Sequence, residues 1–348
     1  MSFPLEHLVR PNIRALEPYS CARDEYEGDQ ALFLDANENP FDTGLNRYPD
    51  PHQRALKKAL SALKGVPVER MVLGNGSDEI IDIVIRSLCR PGQDNIVVFS
   101  PGYSMYEVAA HINEVEVRRL DLTPDFQPDW QGAEAVSDAC TKAVFVVSPN
   151  NPVGTPIPLA DIEAFCARFP AFVVVDEAYV DFSNEPSAVG LLEKYPNLII
   201  LQTLSKSWGM ASLRLGMCFS HEYLAGVFSK VKAPYNVGGL TQRTALETLS
   251  DLSGYREKLE VIKAQRNRLE AMLRACPWFE RVWPSQANFV LASSPYFRSL
   301  YRYLTEHKVV VRVRDIPPRI PSALRITVGT PEQNDCLEQL LADFRPED

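Results

Sequence analysis

Seven short apolar runs, separated by stretches with a helical pattern, constrain the fold of this chain of 348 residues more than any other feature. Each run is rich in Val, Ile or Phe and is bounded by Pro, Gly or Asn, as strands buried on both faces of a sheet usually are. The runs are MVLG (71–74), NIVVFS (95–100), VEVRRL (115–120), AVFVVS (143–148), FVVVDE (172–177), NLIILQ (197–202) and LRLGMCF (213–219). Their alternation with helices predicts an α/β fold with a mostly parallel central sheet flanked by helices.

Two of the predicted helices have clear signals. In residues 50–63, Leu56, Leu60 and Leu63 fall on one face of a helix. The stretch SDEIIDIVIRSLC (77–89) begins with Ser77 and continues with two acids. A serine there can cap a helix N-terminus, and acids are favourable in the first turn.

The character of the chain changes after about residue 240. A long polar helix is predicted from 255 to about 276, followed by the short strands NFVLA (288–292), VVVRVR (309–314) and LRITVG (324–329). This pattern predicts a smaller α+β domain, and the chain length also favours two domains. We expect a large domain over residues 41–245 and a small domain over 246–348, with residues 1–40 packing on the small domain.

Composition excludes several classes of protein. The net charge of −9, without any block of Lys or Arg, argues against a nucleic-acid partner. No apolar run approaches the roughly 20 residues that span a bilayer, and the first residues do not resemble a signal peptide. Seven scattered cysteines are typical of reduced thiols in the cytoplasm, and five widely separated histidines give no metal-binding spacing.

Chemically useful residues follow four of the predicted strands. Because ligands bind beyond the carboxyl ends of strands in open parallel sheets, these positions are candidates for a binding site. NGSDE (75–79) offers free helix N–H groups to a phosphate, and PNNPVG (149–154) contains Asn151. Asp176 lies at the end of the fifth run, Tyr179 follows that run, and Lys206 follows the sixth. Taken singly, each has an ordinary interpretation as a turn, a surface acid or an exposed lysine.

Taken together, these residues match the requirements of pyridoxal 5′-phosphate. Its aldehyde needs a lysine, for which we predict Lys206, and its ring nitrogen needs a carboxylate, for which we predict Asp176. Its 3-oxygen needs hydrogen-bond donors, which Asn151 and Tyr179 can supply. Arg214 lies eight residues after the lysine among small and apolar neighbours, and we expect it to hold the phosphate.

Longer motifs extend this pattern into a resemblance to a known family. NPVG (151–154), DEAYVDF (176–182), TLSKSWGMASLRLG (203–216) and RITVGT (325–330) resemble the fold-type I pyridoxal-phosphate aminotransferases in order and spacing, over essentially the whole chain. PYSCAR (18–23), LDANENP (34–40), NRYPDP (46–51), GNGSDEIID (74–82) and LRITVGT (324–330) resemble the histidinol-phosphate aminotransferases within that group.

The resemblance implies a set of roles around the cofactor. Lys206, Asp176 and Tyr179 are implied as the catalytic residues, with Lys206 bonded to the aldehyde and Asp176 paired with the ring nitrogen. Tyr103 is implied to stack on the ring. The remaining cofactor contacts implied are the backbone of Ser77 and Asp78, and the side chains of Asn151, Ser205 and Arg214.

The resemblance also implies a homodimer and a set of substrate contacts. Tyr48 is implied to reach the cofactor phosphate of the neighbouring subunit, so that the active sites are shared. Arg325 is implied to bind the α-carboxylate of glutamate or 2-oxoglutarate. Tyr19, Asn37 and Arg314 are implied for the substrate phosphate and its orientation, although Arg312 fits the position of Arg314 as well.

The reaction that the resemblance implies belongs to histidine biosynthesis. L-Histidinol phosphate gives its amino group to 2-oxoglutarate, and the products are imidazole acetol phosphate and L-glutamate. An aromatic-amino-acid aminotransferase or a threonine-phosphate decarboxylase of the same fold remains an alternative. A cofactor-sensing regulator would need a basic DNA-binding domain, for which we expect no room before PYSCAR. An α/β protein without a cofactor is the remaining alternative.

Overall fold

A seven-stranded sheet forms the centre of the computed structural model, which describes residues 3–24 and 32–346 of the chain. Its strands are β1 (Met71–Asn75), β2 (Asn95–Ser100), β3 (Glu116–Asp121), β4 (Thr141–Val147), β5 (Phe172–Asp176), β6 (Leu198–Thr203) and β7 (Leu215–Phe219). They lie in the order β1-β7-β6-β5-β4-β2-β3. Strand β7 runs antiparallel to both neighbours, and the other pairs are parallel. The predicted mostly parallel sheet is therefore confirmed, and each apolar run contributes a strand.

Helices connect these strands and continue into the C-terminal part. The α-helices in the described residues are α1 (Leu5–Leu8), α2 (Pro11–Arg14), α3 (Arg54–Lys64), α4 (Gly76–Leu88), α5 (Met105–Ile112), α6 (Trp130–Val136), α7 (Leu159–Arg168), α8 (Glu222–Val231), α9 (Gly239–Leu249), α10 (Leu252–Ala275), α11 (Phe297–Glu306) and α12 (Pro331–Asp343). Across residues 3–24 and 32–346, none combines the length and apolar character needed to cross a membrane.

Burial on both faces explains why the central strands are unbroken apolar runs. Every residue of β4, β5, β6 and β7 is buried. Along β5, Val173 and Val175 pack in the core that includes residues of α3, α7 and α9, whereas Val174 packs in the core that includes residues of α4, α5 and α8. Since successive side chains of a strand point to opposite faces, a strand between two helix layers needs apolar residues at every position.

A four-stranded antiparallel sheet forms the second, smaller unit. Its strands are β8 (Arg281–Trp283), β9 (Phe289–Ser293), β10 (Arg312–Ile316) and β11 (Ile320–Thr327), in the order β10-β11-β9-β8. Helices α10, α11 and α12 cover it through Leu269, Leu300 and Leu337, which share a core with Val290 and Leu324. The predicted smaller α+β unit is confirmed. The strand β8 was not predicted, because its three residues are too few to show the alternation of apolar and polar residues that indicates a strand.

The first residues pack differently from the expectation for residues 1–40. The Phe3 ring lies 6.0 Å from the Phe172 ring on the large sheet, and Val9 is buried in the core that contains α4 and α8. Arg10 donates a hydrogen bond of 2.7 Å to the carbonyl oxygen of Arg86. These residues therefore cover the large sheet rather than the small unit, because their apolar side chains complete its helix layer. The domain boundary predicted after residue 245 falls inside α9 and stays a prediction.

Candidate active site

A cavity of about 570 Å³ lies at the carboxyl ends of the parallel strands, where the large sheet faces β10 and β11. It collects residues that are far apart in the sequence. The predicted residues that line it are Ser77, Asp78, Tyr103, Asn151, Asp176, Tyr179, Ser205, Lys206, Arg214, Arg314 and Arg325. These residues lie together because the loops that follow parallel strands all lie at the same edge of the sheet.

One end of the cavity is formed by the N-terminus of α4. The helix begins at Gly76 with Asn75 as its N-cap, and the Asn75 side chain makes no capping hydrogen bond to the first turn. The prediction that Ser77 is the N-cap is therefore wrong. Gly76 has a φ of 81°, a conformation open mainly to glycine, and the chain turns there, so the helix starts one residue before Ser77. The N–H groups of the first turn and the helix dipole provide a seat for an anion.

Arg214 adds a cation to this seat. A Cβ atom on Gly76 would lie 2.5 Å from Nη2 of Arg214, so the guanidinium packs directly against this glycine. Asp78 Oδ2 lies 3.4 Å from the same nitrogen, and Asp78 Oδ1 accepts a 2.8 Å hydrogen bond from the hydroxyl of Tyr103. The Ser205 hydroxyl accepts a 2.9 Å hydrogen bond from Thr203 Oγ1 beside them. The arrangement suits a phosphate that is bound by helix N–H groups, a hydroxyl and a guanidinium.

Asp176 lies at the bottom of the cavity, at the end of β5, and is only 3% exposed. Its Oδ1 accepts a hydrogen bond of 3.0 Å from the Ala178 N–H, and its Oδ2 accepts one of 2.6 Å from the Tyr106 hydroxyl. Burial raises the pKa of Asp176 above its ordinary value, although both hydrogen bonds and the charge of Lys206 act in the opposite direction. A cation held against this carboxylate would therefore be strongly favoured.

Tyr106 is the site residue that sequence reasoning missed. It lies three residues after Tyr103, in the stretch SPGYSMY (100–106). Its ring is buried in the core, and its hydroxyl donates a hydrogen bond to Asp176. On a helix, its spacing is that of an ordinary core aromatic residue. Only the position of the Asp176 carboxylate in three dimensions distinguishes it from one.

Lys206 follows β6 and extends into the same cavity, where it keeps contact with solvent. Its Nζ lies 5.9 Å from the centroid of the Tyr179 ring. Partial burial lowers the pKa of Lys206, and the neighbouring charges of Arg325 and Arg214 lower it further. Asp176 and Asp78 oppose this shift. The environment thus favours the neutral amine, which is the form that acts as a nucleophile or base.

Tyr179 and Asn151 form a polar wall of the cavity. The Asn151 amide donates a hydrogen bond of 3.3 Å to the Tyr179 hydroxyl, and Asn151 Oδ1 accepts one from the guanidinium of Arg325. Burial raises the pKa of Tyr179 to about 12, with a smaller contribution from Asp176. The phenol therefore stays protonated at neutral pH and can donate a hydrogen bond.

Three arginines form the opposite wall. Arg312 and Arg314 lie on β10, Arg325 lies on β11 beside Arg312, and all line the cavity. Burial lowers the pKa of Arg314, and the charges of Arg325 and Arg312 add to this effect. No carboxylate in the described parts of the chain forms a salt bridge with any of the three. Guanidinium groups that lie this close together without a carboxylate partner favour binding of an anionic ligand.

Three predicted residues do not line this cavity. Tyr19 is 65% exposed and lines a separate hollow beside Lys57 and Lys232. Asn37 and Tyr48 line a larger surface hollow of about 850 Å³. The ring of Tyr48 stacks on that of Tyr235 at 4.4 Å. Within one chain, these three side chains therefore lie outside the cavity that contains Lys206.

The donor set of the cavity fits pyridoxal 5′-phosphate. A phosphate seat with a guanidinium, an amine, a buried carboxylate and hydrogen-bond donors surround one space of suitable volume. These are the groups that the cofactor's phosphate, aldehyde, ring nitrogen and 3-oxygen require. Among residues 3–24 and 32–346, no group of His, Cys, Asp and Glu could hold a metal ion.

Comparisons with known proteins show which family the chain resembles. Residues 29–340 match the family described as aminotransferase class I and II. The chain is 48% identical over 341 residues to the histidinol-phosphate aminotransferase of Parabacteroides distasonis, covering 98% of this chain and 99% of that protein. The histidinol-phosphate aminotransferase structure from Clostridium acetobutylicum has a TM-score of 0.77 at 25% identity, covering 86% of this chain and 90% of that one. The Sinorhizobium meliloti histidinol-phosphate aminotransferase, solved in complex with pyridoxal-5′-phosphate, has a TM-score of 0.77 at 23% identity and covers 85% and 83%.

The lowered pKa of Lys206 predicts its reactivity toward an amine-specific acylating reagent. In the cofactor-free protein, acylation of Lys206 should begin at lower pH than acylation of the exposed Lys58, because a lysine with a lowered pKa has more neutral amine at a given pH. Peptide mass spectrometry over a pH series measures both residues in one sample. Arg325→Gln should move the Lys206 profile to higher pH, since it removes a neighbouring positive charge. Equal profiles for Lys206 and Lys58 would contradict the assignment.

Proposed function

Since the chain belongs to the aminotransferase class I and II family, we propose that it transfers the amino group of L-histidinol phosphate to 2-oxoglutarate. The products are imidazole acetol phosphate and L-glutamate, so the reaction belongs to histidine biosynthesis. The identity of 48% over nearly the full length of a histidinol-phosphate aminotransferase carries this proposal. The family match also confirms the predicted resemblance and the dependence on pyridoxal 5′-phosphate.

The proposed cofactor contacts follow the geometry of the cavity. Bound there, pyridoxal 5′-phosphate supplies an aldehyde that takes up the amino group and a ring that withdraws electrons from the substrate's Cα. The start of α4 (backbone of Ser77 and Asp78), Ser205 and Arg214 would bind its phosphate, and Tyr103 would pack against its ring. Asp176 would hold the ring nitrogen in its protonated form.

Lys206 is the proposed acid and base. With the cofactor bound, the amine of Lys206 would take the proton from the substrate's Cα as a base and would then return a proton as an acid. Its lowered pKa favours the neutral form needed for the first transfer. Tyr179 and Asn151 donate hydrogen bonds to the 3-oxygen and fix the ring relative to Lys206. Because one substrate leaves before the other binds, the kinetics should be ping-pong.

The three arginines support a site that accepts two different anions in turn. Histidinol phosphate carries a phosphate, and 2-oxoglutarate carries two carboxylates. A planar guanidinium binds either group through paired hydrogen bonds. We propose that Arg325 binds the α-carboxylate and that Arg314 binds the anionic end of either substrate. Arg312 lies on the same strand and in the same cavity, and it remains the alternative to Arg314.

We further propose that the protein is a homodimer. Leu45 and Leu240 line the hollow that contains Tyr48, and they expose 65% and 58% of their surface. An exposed apolar patch of this kind is typical of a contact between subunits. A partner subunit bound there would place Tyr48 next to a second active site, whereas Tyr19 and Asn37 remain predictions for substrate contact.

We also propose a cytoplasmic location. All seven cysteines are free, which supports it.

Turnover of a substrate panel tests the proposed reaction. Amino transfer from histidinol phosphate to 2-oxoglutarate should proceed with a higher kcat/KM than amino transfer from phenylalanine, and threonine phosphate should not be decarboxylated. Arg325→Gln should lower kcat/KM for 2-oxoglutarate about 10–100-fold, as expected for loss of a charge-assisted pair. Arg298→Gln, an exposed arginine on α11, is the matched control and should leave it unchanged. Equal or better turnover of phenylalanine or threonine phosphate would reject histidinol phosphate as the substrate.

Mixed dimers test whether Tyr48 acts across the subunit interface. Lys206→Ala and Tyr48→Ala should each be nearly inactive alone. If Tyr48 serves the partner's site, a mixed dimer contains one site with both residues intact, so an equal mixture should regain about a quarter of wild-type activity. Recovery is measured after the two variants are unfolded, mixed and refolded together. No recovery, with mixed dimers shown by mass spectrometry, would mean that Tyr48 does not act across the interface.

A further inference from the structure

Tyr106 makes the shortest hydrogen bond to the carboxylate that the proposed reaction depends on. Its hydroxyl donates to Asp176 Oδ2 at 2.6 Å, and both residues are 3% exposed. The other carboxylate oxygen accepts only the Ala178 N–H in the described structure. Tyr106 is thus the one side chain in the described residues that donates a hydrogen bond to Asp176.

The ring of Tyr106 is held on both sides. It stacks on Phe145 of β4, with ring centroids 4.9 Å apart and planes inclined by 28°. Tyr103 meets it edge-on, at 5.7 Å and 82°. Since α5 and β4 are both part of the core, these contacts fix the position of the hydroxyl. The hydrogen bond to Asp176 therefore has a defined direction.

We propose that Tyr106 is a positioning residue, which aims the Asp176 carboxylate at the ring nitrogen of the cofactor and keeps it ionised. This inference rests on the proposed function. A carboxylate oxygen has two lone pairs, so Asp176 can accept the Tyr106 hydrogen bond and still accept one from a protonated ring nitrogen. Without Tyr106, a single backbone hydrogen bond would hold the carboxylate, and it could rotate about its χ2 bond.

The charges around Asp176 make this support necessary. Asp78 on α4 and Lys206 after β6 act on the carboxylate in opposite directions, and Tyr103 and Tyr179 are the other titratable groups that face it. Burial disfavours the ionised carboxylate, and a hydrogen bond donated to the carboxylate offsets part of that effect. Burial also raises the pKa of Tyr106 well above its ordinary value, which keeps the phenol protonated and able to donate.

The experiment compares Tyr106→Phe with Tyr195→Phe in the cofactor-loaded protein. Tyr195 also donates a hydrogen bond to a carboxylate, Glu163, but lies outside the cavity. The readout is the pH midpoint at which the absorption spectrum of the bound cofactor changes, which reports the proton on the Lys206 nitrogen. Without the Tyr106 hydrogen bond, Asp176 is protonated more readily or swings away from the ring. Either effect weakens the positive charge on the ring nitrogen and so favours the proton on the Lys206 nitrogen. The midpoint should rise by about one pH unit, since a hydrogen bond to a charged group is worth about that much.

Steady-state kinetics provide the second readout. Tyr106→Phe should lower kcat about tenfold and leave KM for both substrates within about twofold, because the lost interaction acts on the proton transfer and not on substrate binding. Tyr195→Phe should change neither the midpoint nor kcat. An unchanged midpoint in Tyr106→Phe would overturn the inference and leave the proposed function intact. A wild-type protein that binds no pyridoxal phosphate would overturn both.

Discussion

The buried carboxylate of Asp176 is the constraint on which the rest of the site depends. The end of β5 places it at the bottom of a cavity where water has little access, and burial alone would favour its neutral form. Two donated hydrogen bonds oppose that effect, and the protonated ring nitrogen of the proposed cofactor would complete its environment. Burying a carboxylate without a positively charged partner costs free energy, so this residue points to a cationic ligand.

The other residues of the cavity are arranged relative to that carboxylate. Arg214 and the start of α4 form a positive region at one end, and the arginines of β10 and β11 form another beside Lys206. These positive charges, together with partial burial, lower the pKa of Lys206, while Asp176 limits the effect. One set of charges therefore favours binding of anionic substrates and also makes the amine of Lys206 easier to deprotonate. The large sheet supplies the carboxylate and the amine, and the small sheet supplies the guanidinium groups.

Much of this arrangement could be predicted from the sequence, because the carboxyl ends of parallel strands lie side by side at one edge of the sheet. Asn151, Asp176 and Lys206 each lie at or just after the end of a buried apolar run, and a parallel sheet brings such positions to one edge. Tyr106 could not be recognised in this way, since its core position conceals a hydrogen bond that depends on three-dimensional packing. The N-cap at Asn75 differed from the prediction because a glycine with positive φ started the helix before Ser77. Tyr19, Asn37 and Tyr48 lie outside the cavity of the single chain, so their roles stay predictions.

Covalent labelling of the bound cofactor gives the most direct measurement of the central claim, that the loops after these strands converge on one pyridoxal phosphate attached to Lys206. Reduction of the loaded enzyme with borohydride fixes the cofactor to its lysine, and tryptic peptides are then analysed by mass spectrometry. The modified residue should be Lys206, within an uncleaved peptide spanning residues 195–214. Modification of a different lysine, such as Lys57 or Lys232 in the separate hollow, would contradict the account.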